Sequence, residues 1–248
     1  MRETQAIIER VRRLSADLQQ LELSIDPALS QLQPGQSVFA WVLENNTCSA
    51  YLREQWIPIA VQASTLVVEL RPQQVYAPGQ VVSLLAPVGR PVPLRAGLSR
   101  LLLIAEDEAP TPFLLLARRA VTAGIAVTLV LGGSATRYPL EQFPAEVEIL
   151  RSDTEWKWPD QVETLNWADQ VLVLAPPQAQ NETYGSLYST IGQLRHHDIP
   201  EGFVSGLYYQ RLACGTGACQ SCQVPGRGSD FLTCTHGPAL DLKDIVFR

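Results

Sequence analysis

Four cysteines near the end of the chain carry its most specific chemical signal. Cys214, Cys219, Cys222 and Cys234 follow the spacing C-x4-C-x2-C-x11-C. That spacing is the plant-type pattern of a [2Fe–2S] cluster, in which four thiolates hold two irons. Gly215, Gly217 and Ala218 between the first two cysteines leave room for a loop to wrap a cluster closely. Glycine also supplies the positive φ that such a wrap needs. Backbone N–H groups of the loop can then point at the sulfurs and stabilise negative charge there.

Zinc and disulfides are the alternatives. Structural zinc usually shows two separated C-x2-C or Cys/His pairs, whereas this chain has one C-x2-C. His236 is a further candidate ligand, but a Rieske centre needs two histidines, and the other two are adjacent at His196 and His197. We read that pair as a surface feature at a helix end. Disulfides do not suit a chain whose N-terminus lacks an export signal. Cys48 stands far from the other four and is expected to be a free thiol, not a ligand.

The elements that position these cysteines follow from composition and periodicity. The chain has 248 residues, 46% hydrophobic and 18% charged, which is ordinary globular composition. Its net charge of −6 argues against nucleic acid and anionic membrane surfaces as partners. The most apolar run, Phe113 to Gly133, contains Arg118 and Arg119 and is a helix plus a buried strand instead of a membrane span. A cytoplasmic location is expected.

Residues 1–30 carry two conflicting signals. Ile7, Val11, Leu14, Leu18, Leu21 and Ile25 recur at helical spacing, while Leu21, Leu23 and Ile25 alternate as in a strand. From Val38 to Ala86, short strand-like runs (Val38–Val42, Ile57–Val61, Thr65–Leu70, Val81–Ala86) are punctuated by Pro34-Gly35, Asn45-Asn46 and Pro78-Gly79. They predict a small barrel over residues 1–97. Over 98–205, strands Leu101–Ile104, Ile125–Leu131, Val147–Leu150 and Val171–Leu174 alternate with helices Pro112–Gly124 and Leu187–His196. This alternation predicts a doubly wound parallel sheet. Gly132-Gly133-Ser134 is read as a turn, and Trp156 and Trp158 as packing residues. Residues 206–248 form a third, cysteine-bearing module.

This order of modules resembles the electron-transfer subunit of the heteromeric dihydroorotate dehydrogenases, within the ferredoxin–NADP reductase superfamily. Pro34-Gly35-Gln36-Ser37-Val38 is similar to that family's P-G-Q-F-V, and Pro78-Gly79-Gln80-Val81-Val82 to its P-G-D-x-V. Ala86-Pro87-Val88-Gly89 resembles its G-P-L-G. Ala213 to Cys219 is nearly its A-C-G-x-G-A-C, and Cys234 to Pro238 resembles its C-x-x-G-P. The resemblance implies that residues 5–25 are two barrel strands. It also implies a route from NADH to FAD, through the cluster, to a flavin on a catalytic partner.

Three departures qualify what is carried over. The family's flavin motif, R-P-[FY]-[ST]-I-A, is here Gln55-Trp56-Ile57-Pro58-Ile59-Ala60. Gln55 stands in place of the arginine, although Arg53 is close, and Pro58 replaces the hydroxyl that would bond the flavin ring. The segment for the FAD pyrophosphate, Arg71 to Ala77, contains no glycine. The glycine-rich turn for the nicotinamide dinucleotide is replaced by Glu106-Asp107-Glu108, and the nicotinamide-side C-G-P by Ala175-Pro176-Pro177. Carboxylates there repel phosphate, or they serve only a helix N-terminus.

The expected protein is therefore a [2Fe–2S] electron carrier on a reductase-type scaffold, with NAD(H) binding lost and a largely empty FAD barrel whose degenerate site retains Arg53 and Pro58. Its partner would be another oxidoreductase subunit, an FMN-containing dehydrogenase being one candidate, in a hetero-oligomer. Two alternatives stand beside it: a complete FAD- and NAD(H)-dependent reductase subunit, and a non-catalytic assembly subunit whose cluster only holds the tail folded.

Overall fold

A computed structural model of the chain describes residues 1–42, 53–71, 74–195 and 198–247. Cys48, the Asn45-Asn46 turn, Pro72, Gln73, His196 and His197 lie outside the described residues.

The N-terminal conflict resolves toward strands. β1 spans Arg2–Arg13 and β2 spans Gln19–Ser24. Leu21 and Leu23 alternate into the interior and are fully buried, while the helical spacing of Ile7 and Val11 has no structural counterpart. β3 (Ser37–Val42), β4 (Glu54–Val61), β5 (Thr65–Leu70) and β6 (Val81–Val88) complete a closed barrel of order β1-β2-β5-β4-β3-β6. Closure removes free sheet edges. Ile8, Leu66, Val68, Leu84 and Trp56 fill the interior. Burying each such side chain contributes about 1.5–3 kcal/mol.

The second layer is a six-stranded sheet. β7 (Arg100–Glu106), β8 (Ala126–Gly132), β9 (Glu148–Arg151), β10 (Gln170–Leu174) and β11 (Val204–Leu207) run parallel, and β14 (Ala239–Asp241) pairs antiparallel with β11. The spatial order is β14-β11-β10-β7-β8-β9. α1 (Thr111–Thr122) packs Phe113, Leu114, Ala117 and Ala120 on the face toward the barrel. Pro112 sits in its first turn and Gly124, at φ +78, ends it. α2 (Gln161–Trp167) and α3 (Gln180–Leu194) cover the other face through Leu165, Tyr184, Leu187 and Ile191. Trp158 is buried in that same core and Trp156 packs against it.

Helix α1 is tied to the barrel by partly buried polar contacts. Arg118 Nη1 donates to the carbonyl of Ile59 at 2.6 Å, and Arg119 Nη2 to that of Leu32 at 2.6 Å. The cysteine-bearing segment leaves β11, forms the hairpin β12 (Gln223–Val224) and β13 (Phe231–Leu232), and returns as β14. Its tail is thus a strand of the large sheet.

Candidate functional site

The four cysteines lie in one segment that rests on the outer wall of the barrel. Gly215 has φ +67, and a Cβ there would lie 2.9 Å from Phe39 Cε2 and 3.2 Å from Val88 Cγ1. Gly217 has φ +81 and faces Thr235 and Leu232. Both glycines are therefore required, by their left-handed conformation and, at Gly215, also by space. Phe39, Val88 and Leu212 form a small apolar core with the buried Cys222 and Cys234.

The thiols fall into two kinds. Cys222 Sγ and Cys234 Sγ are 3.3 Å apart, too far for a disulfide and near the ~3.8 Å edge of a tetrahedral thiolate site with 2.3 Å metal–sulfur bonds. Burial, then its contact with Cys222, pushes the Cys234 thiol up to about 12. Cys214 Sγ accepts the backbone N–H of Thr216 at 3.4 Å and of Cys219 at 3.5 Å. Those two donors bring its thiol down to about 6. Cys219 is exposed, with Sγ 3.1 Å from Ser221 Oγ. Among the described residues, no group of three or more His, Cys, Asp or Glu side chains is placed to hold a metal ion. Four thiols with N–H donors on sulfur and a glycine wrap fit a binuclear cluster, which divides its ligands between two irons.

Residues 210–246 match the family model described as the iron-sulfur cluster binding domain of dihydroorotate dehydrogenase B. They form an iron–sulfur cluster domain. A curated relative, "Probable dihydroorotate dehydrogenase B (NAD(+)), electron transfer subunit" of Methanopyrus kandleri, is 32% identical over 180 residues. The alignment covers 68% of this chain and 63% of that relative, so the chain spans under two thirds of the relative's length. The whole chain shares the fold of ferredoxin reductases. A NADH-dependent reduced ferredoxin-NADP oxidoreductase superposes with TM-score 0.71 at 15% identity, covering 97% of this chain and 89% of that one. Phthalate dioxygenase reductase superposes with TM-score 0.57 at 16% identity, covering 92% and 75% respectively.

A cavity of about 320 Å³ lies between the barrel and the carboxyl ends of β7 and β10. This is the topological switch point of the sheet, where open α/β folds bind ligands. Gln55 borders it, with its amide donating to Ser37 Oγ at 3.0 Å. Arg53 also borders it, but its guanidinium is held by Glu3 at 2.6 Å and by the carbonyl and hydroxyl of Ser83. Pro58 is buried, pairs with Val68 on the neighbouring strand β5 and is absent from the cavity wall. The structure thus does not bring Arg53 and Pro58 together as one binding surface.

The three acids at the end of β7 do not sit where a helix-capping role would place them. α1 begins at Thr111 behind Pro110, and its first turn contains no acidic residue. Glu106 is instead the last residue of β7, opposite Gly132 in the parallel register. Its Oε2 would lie 1.6 Å from a Cβ on Gly132, and it is buried with no hydrogen-bond partner among the described residues. Burial, followed by the neighbouring Asp107 charge, pushes the Glu106 carboxyl up to about 7. Asp107, at φ +50, accepts the Ser134 N–H at 2.9 Å and fills the space above Gly133. Glu108 pairs with Arg71 at 2.8 Å, although burial still raises its carboxyl pKa.

Sequence reasoning missed a buried carboxylate on the cavity wall. Glu69 is 1% exposed. It accepts Tyr138 OH at 2.9 Å on each oxygen, Gln20 Nε2 at 3.0 Å, and the Thr111 hydroxyl. Burial and this carboxylate raise the Tyr138 phenol far above its ordinary range. The signal was an acid inside the apolar run Thr65–Leu70.

Proposed function

We propose that the chain is an electron-transfer subunit relaying electrons through a [2Fe–2S] cluster held by Cys214, Cys219, Cys222 and Cys234. The carrying observation is the paired arrangement of those thiols, one pair buried with Phe39 and Leu212, the other toward solvent. The cluster, when bound, supplies a one-electron site. Thr216 and Cys219 N–H groups hold negative charge at Cys214 Sγ. Phe39, Val88 and Leu212 keep water from Cys222 and Cys234. The exposed Cys219 edge is where a partner would approach.

The partner on this reading is another oxidoreductase subunit, an FMN-containing dehydrogenase being the candidate, in a hetero-oligomer. The relative's name as an electron transfer subunit supports the existence of a partner subunit.

The same reading holds that NAD(H) and FAD are not bound. Glu106 and Asp107 occupy the backbone approach that a pyrophosphate would use. A phosphate charge about 4 Å from one carboxylate costs about 4 kcal/mol at an effective dielectric of 20, as much as a millimolar affinity supplies. For FAD, Arg53 is already engaged and Pro58 offers no donor. An anaerobic titration tests this. Dithionite should bleach the visible cluster absorption, and NADH, with or without added FAD, should not. Bleaching by NADH would replace this reading with that of a complete reductase subunit.

A further inference from the structure

The cysteine sulfurs differ in what donates to them. Cys214 Sγ accepts the backbone N–H groups of Thr216 and Cys219. Cys222 and Cys234 lie buried against Phe39, Val88 and Leu212, where the Gly217 N–H also reaches Cys234. Cys219 is exposed, and the partner of its Sγ is a side chain, the Ser221 hydroxyl at 3.1 Å. Among the described residues that hydroxyl has no other partner. The C-x4-C-x2-C spacing asks for no hydroxyl at the residue before the third cysteine.

The backbone between the two residues is bent at this contact. Gln220 takes φ +55, a left-handed conformation that is uncommon for a residue with a Cβ. Gln220 is itself exposed, so burial of its side chain does not offset the strain. The bend brings Ser221 back to the sulfur two residues earlier. Strain of this kind clusters where a local arrangement serves function. The direction of the hydrogen bond follows from the chemistry of the ligand. A cysteine that ligates iron does so as a thiolate. It has no proton to give, so the Ser221 hydroxyl is the donor. A hydrogen bond to a charged acceptor is stronger than a neutral one. An added electron puts more negative charge on the ligating sulfurs, so the bond strengthens on reduction and favours the reduced state.

We propose that Ser221 is a positioning residue that acts through Cys219: its hydroxyl donates to the Cys219 thiolate, fixes the orientation of that ligand at the exposed edge and raises the reduction potential of the cluster. The proposal rests on the reading that the four cysteines hold a [2Fe–2S] cluster. One electron enters or leaves there, supplied or taken by the redox partner, and the hydroxyl keeps its proton throughout. Two devices thus serve the outer pair of sulfurs, backbone N–H groups at Cys214 and a side-chain hydroxyl at Cys219. The second can be removed by one substitution that leaves all four ligands in place.

Redox titration of the full-length protein, purified without oxygen and followed by visible absorption and EPR, tests this, with iron and labile sulfide counted for every variant. Ser221→Ala should leave the reduced form about three- to tenfold less favoured at a given poise, a fall in midpoint potential of roughly 30–60 mV at about 59 mV per tenfold for one electron. Ser221→Thr keeps the hydroxyl and should hold the original potential. Ser221→Val has the shape of threonine without the hydroxyl and should fall with the alanine variant. Iron and sulfide should stay at about two each per chain throughout. A residue that only packs the loop would change how well the cluster is retained and leave the potential where it is. Equal potentials in the threonine and valine variants overturn the proposal, even where the alanine variant holds too little cluster to titrate, and so does a higher potential in Ser221→Ala. Absence of labile sulfide from the unaltered protein overturns instead the cluster reading on which the proposal rests.

Discussion

Glu106→Gln isolates the group that most clearly separates this chain from a dinucleotide-binding reductase. Glu106 is 8% exposed, and its folded carboxyl titrates at about 7 against an ordinary value of 4.5. Between those values the folded protein retains a proton that the unfolded chain releases. Stability therefore falls as pH rises from about 4.5 through about 7, because the native state binds more protons there. At about 1.4 kcal/mol per pH unit, the full charge cost above pH 7 is about 3 kcal/mol. Partial solvent screening at the carboxyl end of the sheet reduces this to roughly 1–2 kcal/mol. Replacing the acid with an uncharged amide of the same shape removes that cost. Glu106→Gln should be stabilised by roughly 1–2 kcal/mol at pH 8, a rise in Tm of about 3–6 °C for a chain of this size, and by little at pH 5. Urea unfolding at both pH values measures it. An equal gain at both values, or a loss at pH 8, would refute the argument that an uncompensated carboxylate fills the phosphate approach.

Three further substitutions have expected outcomes. Gly215→Ala should cost about 1–3 kcal/mol, from φ +67 and a Cβ 2.9 Å from Phe39, and should speed loss of visible absorption in chelator; an unchanged rate would contradict the close packing of loop on barrel. Tyr138→Phe should cost about 1–3 kcal/mol, because the buried Glu69 loses a donor shared by both oxygens, and thermal unfolding checks it. Cys48→Ser should leave iron content and spectrum unchanged, since the four clustered cysteines suffice for a [2Fe–2S] site; a lower iron content would make Cys48 a ligand.

Legibility in the sequence varied with the range of the interactions. The left-handed glycines of the cysteine loop were legible, because that conformation follows from local spacing. The barrel strands from Val38 onward were legible through turns and alternation. Residues 1–30 were legible as two strands only through the family resemblance, since Ile7, Val11 and Leu14 by themselves satisfy a helical period and pairing with β6 and β2 decides for strands. α2 went unseen because seven residues leave too little periodicity, and α3 begins at Gln180, before the apolar signal at Leu187. The acids Glu106 to Glu108 were identified as hostile to phosphate, but not their placement: one over Gly132, one capping Ser134, one paired with Arg71. Those positions depend on β8 and β5, far away in sequence. The cavity and the Glu69 network are likewise products of the barrel meeting the sheet.

Iron and acid-labile sulfide, measured per chain on anaerobically purified protein, test the central claim most directly. The account predicts about two of each per chain, with both lost when any one of Cys214, Cys219, Cys222 or Cys234 is replaced by alanine. One zinc per chain with no labile sulfide would contradict it.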